Sequence, residues 1–199
     1  MNETHGIAQP VRRREDVRFL TGQGRFADDV SEAGQGHAAF VRSPIAHGNI
    51  RSVGIEHAAS APGVIAIYTG DDLAAAGVGH IVARWPKYQS AQIQSARPLH
   101  TPRPGLAQGK VRHVGEVVVL VVAETLGQAQ DAADLVTLDI EELPAAVTIA
   151  DALKPGAPIV WDAAPGNIGL DWHRGDKAAA DIAFSEAAHI TRLSLINNR

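Results

Sequence analysis

Cysteine is absent from the 199 residues. Disulfides, thiolate zinc sites, iron–sulfur ligation and a cysteine nucleophile are therefore excluded for this chain, and any iron–sulfur cluster working with it must sit on a partner. Long apolar runs are missing too: nothing approaches the roughly 20 residues that span a bilayer. The opening MNETHGIAQPVRRRED lacks the basic start and apolar stretch of a secretion signal, so a cytoplasmic protein is expected. There is no excess of positive charge, since 18 Lys and Arg face 22 Asp and Glu for a net charge of -4. That balance gives no general attraction to nucleic acid or to an anionic membrane, and neither is expected as a partner. The basic run Arg12, Arg13, Arg14 is followed directly by Glu15 and Asp16 and reads as a solvated stretch with local ion pairs.

What is present is an ordinary globular composition, 45% hydrophobic and 20% charged, enough for one domain and part of a second. The run from His37 to Ser43, stopped by Pro44, predicts a strand, and Asn49 to Glu56 predicts another, with Ile50, Val53 and Ile55 alternating imperfectly. HAASAPG suits one helical turn ended by Pro62 and Gly63. Val64 to Tyr68 is β-branched and aromatic, hence a strand. Thr69 and Asp72 then offer an N-cap for a brief helix around Leu73 to Ala76, ended by Gly77. Gly79 to Gly109 holds four prolines and little periodicity, a long excursion that Trp85, Tyr88 and Leu106 would anchor. EVVVLVVAE, from Glu116 to Glu124, predicts a central strand covered on both faces. Thr125 and Gln128 have capping-box spacing. Ala129, Ala132, Ala133 and Val136 then predict a helix with a small-residue face, followed by a strand over Val136 to Ile140. Strand, helix and strand in succession indicate an α/β layered unit. A short helix is expected near Thr148 to Leu153, a domain boundary between Pro155 and Asn167, a helix capped by Asp176, and a last strand over His189 to Ile196.

The motifs that tempt a functional assignment are incomplete. Gly22 and Gly24 in TGQGRF lack the third glycine, the preceding strand and the following helix of a dinucleotide loop, and predict a turn. Nine histidines show no HExxH or HxH pairing. His5, His80, His100 and His173 fall in irregular stretches without ligand spacing, so no metal site is expected. Ser43 and Ser52 lack the strand-to-helix elbow of a nucleophilic serine. The acidic pairs Asp28 with Asp29, Asp71 with Asp72, and Glu141 with Glu142 predict caps and solvated edges.

Taken together and in order, several strings carry more. RREDVRFLTGQGRFADD (13–29), FVRSPIAH (40–47), APGVIAIYTGDDL (61–73), VRHVGEVVVLVVAET (111–125), AADLVTLDIEELPAAV (132–147) and NNR (197–199) resemble the opening of the large subunits of xanthine dehydrogenase, aldehyde oxidase and aerobic carbon monoxide dehydrogenase type molybdenum hydroxylases. Two departures stand out: Ile45 where many relatives have histidine, and VGEVV where VGEPV is commoner. Both substitutes are good β-formers.

The resemblance implies an α/β (α+β) fold of hammerhead type with a mixed sheet over 19–155. Residues 1–18 would be an N-terminal extension, and 156–199 a linker and the incomplete start of the first molybdopterin-binding domain. It implies a role in an oxidoreductase acting on aldehydes, purines or other N-heterocycles, or carbon monoxide. The molybdenum cofactor would be held by later segments of a full-length subunit, and FAD and 2Fe-2S clusters by a medium and a small partner subunit. No cofactor is expected on this chain alone, and no catalytic, cofactor-binding or metal-binding residue carries over to it. Gly115 and Glu116 imitate the family's Gly-x-Gly-Glu setting, but they open an apolar strand, so Glu116 is expected to be structural. The alternative is a non-catalytic assembly module, or the short subunit of a split enzyme.

Overall fold

The computed structural model describes residues 13–81, 101–169 and 175–195. Among the described residues six strands form two three-stranded sheets: β1 (His37–Arg42), β5 (Val117–Ala123) and β3 (Val64–Thr69) in the order β1-β5-β3, and β4 (Lys110–Val111), β2 (Gly48–Gly54) and β6 (Thr137–Glu142) in the order β4-β2-β6. The predicted central strand is indeed central, because seven consecutive apolar residues gain most when neighbours lie on both edges. All pairings among the described residues are antiparallel. The α/β hammerhead class stands, and in place of the mixed sheet that the resemblance implies the described residues form two antiparallel ones. Helix α4 (Leu126–Asp134) joins β5 to β6, which lie in different sheets, so the unit is no parallel crossover. The reason is visible in TLDIEE. Only Leu138 and Ile140 are apolar and half-buried, which suits a one-sided antiparallel edge strand rather than a strand covered on both faces.

Three β-bulges resolve the imperfect alternations. On β2, Ile50 pairs with Ile140 and Ser52 with Asp139, leaving Arg51 as the extra residue, so Ile50 and Val53 both turn inward despite their odd spacing. On β3, Val64 pairs with Ala123 and Ala66 with Val122. Ile65 is the extra residue there, 60% exposed, while Val64 and Ile67 pack inward. On β5, Val41 opposes Val119 and Arg42 opposes Val117, and the skipped Val118 is buried beside Val119. The core is one cluster, Ala107, Val111, Val118, Val119, Val121 and Ala132, with residues of both sheets packed against it. Each fully buried valine contributes about 1.5–3 kcal/mol.

Helix α2 (Glu56–Ala59) supplies the short helical turn before β3, and the helices after it start where their caps place them. Thr69 accepts from the Asp72 amide while the Asp72 carboxylate accepts from the Thr69 amide and hydroxyl, both at 2.7 Å, closing a capping box on α3 (Gly70–Ala75). Gly77 and Val78 then donate back to Ala74 and Leu73, the Schellman closure that the positive φ of Gly77 permits. Thr125 caps α4 by accepting from the Gln128 amide. The expected reciprocal bond to the backbone does not form there, because the Gln128 amide group is engaged by the Thr125 hydroxyl at 2.9 Å. Thr148 caps α5 (Ile149–Ala152) and Asp176 caps α6 (Lys177–Glu186).

Hydrogen bonds from the Thr69 side chain and backbone hold the Asp72 carboxyl below its ordinary value of 3.8. A carboxylate depressed in the folded state stabilises above its unfolded value, and that contribution is lost as pH falls through the folded one. Asp72→Asn should thus be less stable than the parent at pH 7, with the gap narrowing below about pH 4. Urea unfolding at both pH values measures it, and a gap independent of pH would refute the assignment.

Around these elements lie two differences from expectation. A short helix, α1 (Asp16–Leu20), precedes TGQGRF, and Gly22 at φ 72° ends it, with Gln23 donating to Arg18 and Gly22 to Phe19. The glycines therefore make the expected turn. The strand expected from His189 does not form in the described residues, which run to 195. Leu193 and Leu195 are 79% exposed, because a strand without an adjacent edge gains no ladder bonds. In the long excursion, Leu106 is buried as an anchor, and Ile81 donates to Arg103 across its base. Trp85 and Tyr88 lie outside the described residues.

Candidate functional site

A compact polar arrangement forms in the turn from Arg112 to Glu116 that feeds β5, where the sequence offers Gly115 and Glu116. Gly115, at φ 84°, reverses the chain. Its amide donates to the Ser43 carbonyl, and the Ser43 amide donates to the Glu116 carbonyl, both at 2.8 Å, so the turn is stitched to the end of β1. Arg42 adds a bond from its guanidinium to the Gly115 carbonyl at 2.9 Å. The Glu116 carboxylate turns back and accepts from the Arg112 amide at 2.5 Å, with His113 Nδ1 at 3.7 Å. Its side chain is 15% exposed. One oxygen of Glu116 is thus committed to closing a five-residue turn. Burial lowers the Arg112 pKa below its ordinary value, while the charges of Glu116 and Asp162 oppose that shift.

Two further polar residues are buried just past this same end of β1. Ser43 Oγ donates to the Ile45 carbonyl and accepts from the Ile45 amide, a self-contained turn with no base beside it. His47 is 6% exposed, its Nδ1 lies 2.8 Å from the Pro144 carbonyl, and its carbonyl accepts from Leu143. The ring therefore ties the β1–β2 turn to the chain leaving β6. Its Nε2 is buried and meets no hydrogen-bond partner among the described residues. The histidine at this position belongs to the FVRSPIAH string, but nothing in its spacing signals burial.

Of the other residues weighed from sequence, Asp29 accepts from the Phe26 amide, Asp72 caps α3, and Glu141 pairs with Asn49 and Arg51 at a solvated strand. Asn49 and Arg51 hold the Glu141 carboxyl below its ordinary value. Arg13 pairs with Asp16 at 3.1 Å, the local ion pair expected of the basic run. His80 is exposed, and His5, His100 and His173 lie outside the described residues. Among the described residues no three His, Asp or Glu side chains converge as metal ligands. No helix among them is long and apolar enough to cross a membrane. The stacking of Arg112 on Trp161 was marked by no motif or periodicity, although Arg112 lies within the 111–125 string.

Residues 21–144 match the family model for aldehyde oxidase and xanthine dehydrogenase, a/b hammerhead domain. The chain is 37% identical to the nicotine 6-hydroxylase large subunit of Paenarthrobacter nicotinovorans, over 92% of this chain and 21% of that protein. It is 31% identical to the carbon monoxide dehydrogenase large chain of Hydrogenophaga pseudoflava, over 92% and 22%. Among solved structures, quinoline 2-oxidoreductase from Pseudomonas putida 86 aligns with TM-score 0.65 and 40% identity over 76% of this chain and 18% of that one. A Cu,Mo-CO dehydrogenase aligns with TM-score 0.71 and 30% identity over 90% and 22%. The chain spans about a fifth of the length of these relatives.

Proposed function

The chain belongs to the aldehyde oxidase and xanthine dehydrogenase family through its a/b hammerhead domain, and from that premise we propose that it supplies the scaffold of a molybdenum hydroxylase large subunit rather than its reaction centre. The observation that carries this reading is one of extent: relatives that match nine-tenths of this chain match it over only about a fifth of their own length. Residues from 19 onward would form the hammerhead, and the later part of 156–199 would lead toward a first molybdopterin-binding domain. The complete enzyme would be cytoplasmic and would hydroxylate an aldehyde or N-heterocycle or oxidise carbon monoxide. Its partners would be an FAD-binding and a 2Fe-2S subunit.

On this reading the described residues are not the ones that hold the molybdenum cofactor. No set of ligating side chains converges, Ser43 spends both its hydrogen-bonding functions on Ile45, and the Glu116 carboxylate is bonded to the Arg112 amide. No step of the reaction is assigned to them. Glu116 is better explained as the lock of its turn: Glu116→Gln keeps an acceptor for that bond and loses only the charge.

The test is metal analysis. Expressed alone in a host that makes the cofactor, the purified chain should carry well under one tenth of an equivalent of molybdenum by mass spectrometry, whereas a scaffold-less catalytic reading requires about one. A stoichiometric content would overturn the proposal.

A further inference from the structure

The segment after α5 does not read as a domain element from sequence, since Pro155, Gly156, Pro158, Pro165 and Gly166 break any periodicity. Its contacts say otherwise. The Arg112 guanidinium lies 3.7 Å from the centre of the Trp161 ring, a stacked cation–π geometry. The same side chain donates from Nε to the Val160 carbonyl at 3.3 Å and from a terminal nitrogen to the Lys110 carbonyl at 3.1 Å. Lys110 Nζ reaches Asp162 at 3.6 Å. Arg112 therefore joins three things at once: the β4 strand, the Glu116 turn through its own amide, and the segment beyond α5.

The far side of that segment is pinned separately. Asn167 is the one non-glycine residue with positive φ among those described, at 58°. Its side chain accepts from the Val160 amide at 2.9 Å and donates to the Ala152 and Pro158 carbonyls at 3.0 and 2.9 Å. A left-handed asparagine whose amide group makes three backbone bonds closes the segment into a compact loop. Ala164 within it is 4% exposed. A mobile interdomain linker would leave these backbone groups to water.

We infer that residues 157–167 are a strap folded as part of the hammerhead unit, latched by Arg112 on Trp161 and Val160, so that the unit runs past residues 144 and 155 and the chain beyond departs from a fixed point. The latch works through stacking and direction, not charge alone. Lysine at 112 would keep the charge and lose both the planar stack and the fork of donors. This inference does not depend on the proposed activity, and its experiment involves no metal.

The measurement is amide hydrogen exchange on the full 199-residue chain. Val160, Ala164 and Asn167 amides are internally bonded and should be protected in the parent. In both Arg112→Ala and Arg112→Lys, exchange in 157–167 should accelerate roughly tenfold to a hundredfold while β5 keeps its protection. Trp161→Leu, which alters the strap and no strand, should do the same and guards against an arginine variant that fails to fold. An unprotected strap in the parent would overturn the inference. So would strap protection unchanged in Trp161→Leu, or strap and β5 loosening in equal measure in that variant.

Discussion

Enlarging Ala132 to leucine is expected to destabilise the hammerhead by about 1–3 kcal/mol, the usual cost of forcing extra methylenes into a filled core. Ala132 and Ala129 are both fully buried on the face that α4 turns to the first sheet, and Ala132 belongs to the same cluster as Val119 and Val121. The helix cannot lift to make room without uncovering those valines, and the strands cannot retreat because β5 is bonded on both edges. The urea midpoint should fall with little change in slope, whereas Ala180→Leu on the exposed helix α6 should shift it negligibly. A leucine at 132 that leaves the midpoint in place would mean that the helix does not pack as described.

Gly70→Ala should cost a comparable amount for a different reason. A β-carbon at Gly70 would collide with the carbonyl of Ala107, and backbone has no rotamer with which to step aside. Ala107 is itself held by a 2.7 Å bond from its amide to Val117, the first residue of β5, and Gln108 donates to the Gly70 carbonyl at 3.2 Å. Ordinarily a glycine opening a helix is replaced by alanine with a gain of about 0.4–1 kcal/mol through the unfolded chain. Here that gain is reversed by the close approach, so a measured increase in melting temperature for Gly70→Ala would refute the contact. Gly48 is a second such position, facing Ile140 and the Glu141 carbonyl across the second sheet.

These two residues mark how far the sequence could be read. The small-residue face of α4 was legible because alanines at 129, 132 and 133 follow helical spacing behind a threonine cap, and both signals are local. Gly70 carried no such mark, since what it must avoid lies 37 residues away in sequence. The same division runs through the strands. Their positions followed from β-branched runs and stops, but the inward turn of both Ile50 and Val53 depended on Arg51 being skipped by β6, a property of the pair of strands rather than of either one. Succession of strand, helix and strand indicates a layered unit but does not say which sheet the second strand joins. The strand expected near the C-terminus has its pattern, but among the described residues it lies against no sheet edge.

For the site, the expectation that Glu116 serves structure came from its place before an apolar run, and its carboxylate is found bonded to the Arg112 amide at 2.5 Å. The partner on the other side of that arginine was invisible, because an arginine and a tryptophan 49 positions apart have no shared periodicity.

The amino-acid sequence alone determined most of the elements, their caps, the buried run of β5 and, through the order of its strings, the family. Caps and periodicities are interactions within a few residues, so they survive without a fold around them. The tertiary structure alone decided the antiparallel pairing, the bulged registers, the close approach at Gly70 and the latch on Trp161. Each of these depends on which distant backbone or ring comes to lie alongside, and that is settled only when the two sheets close over one core.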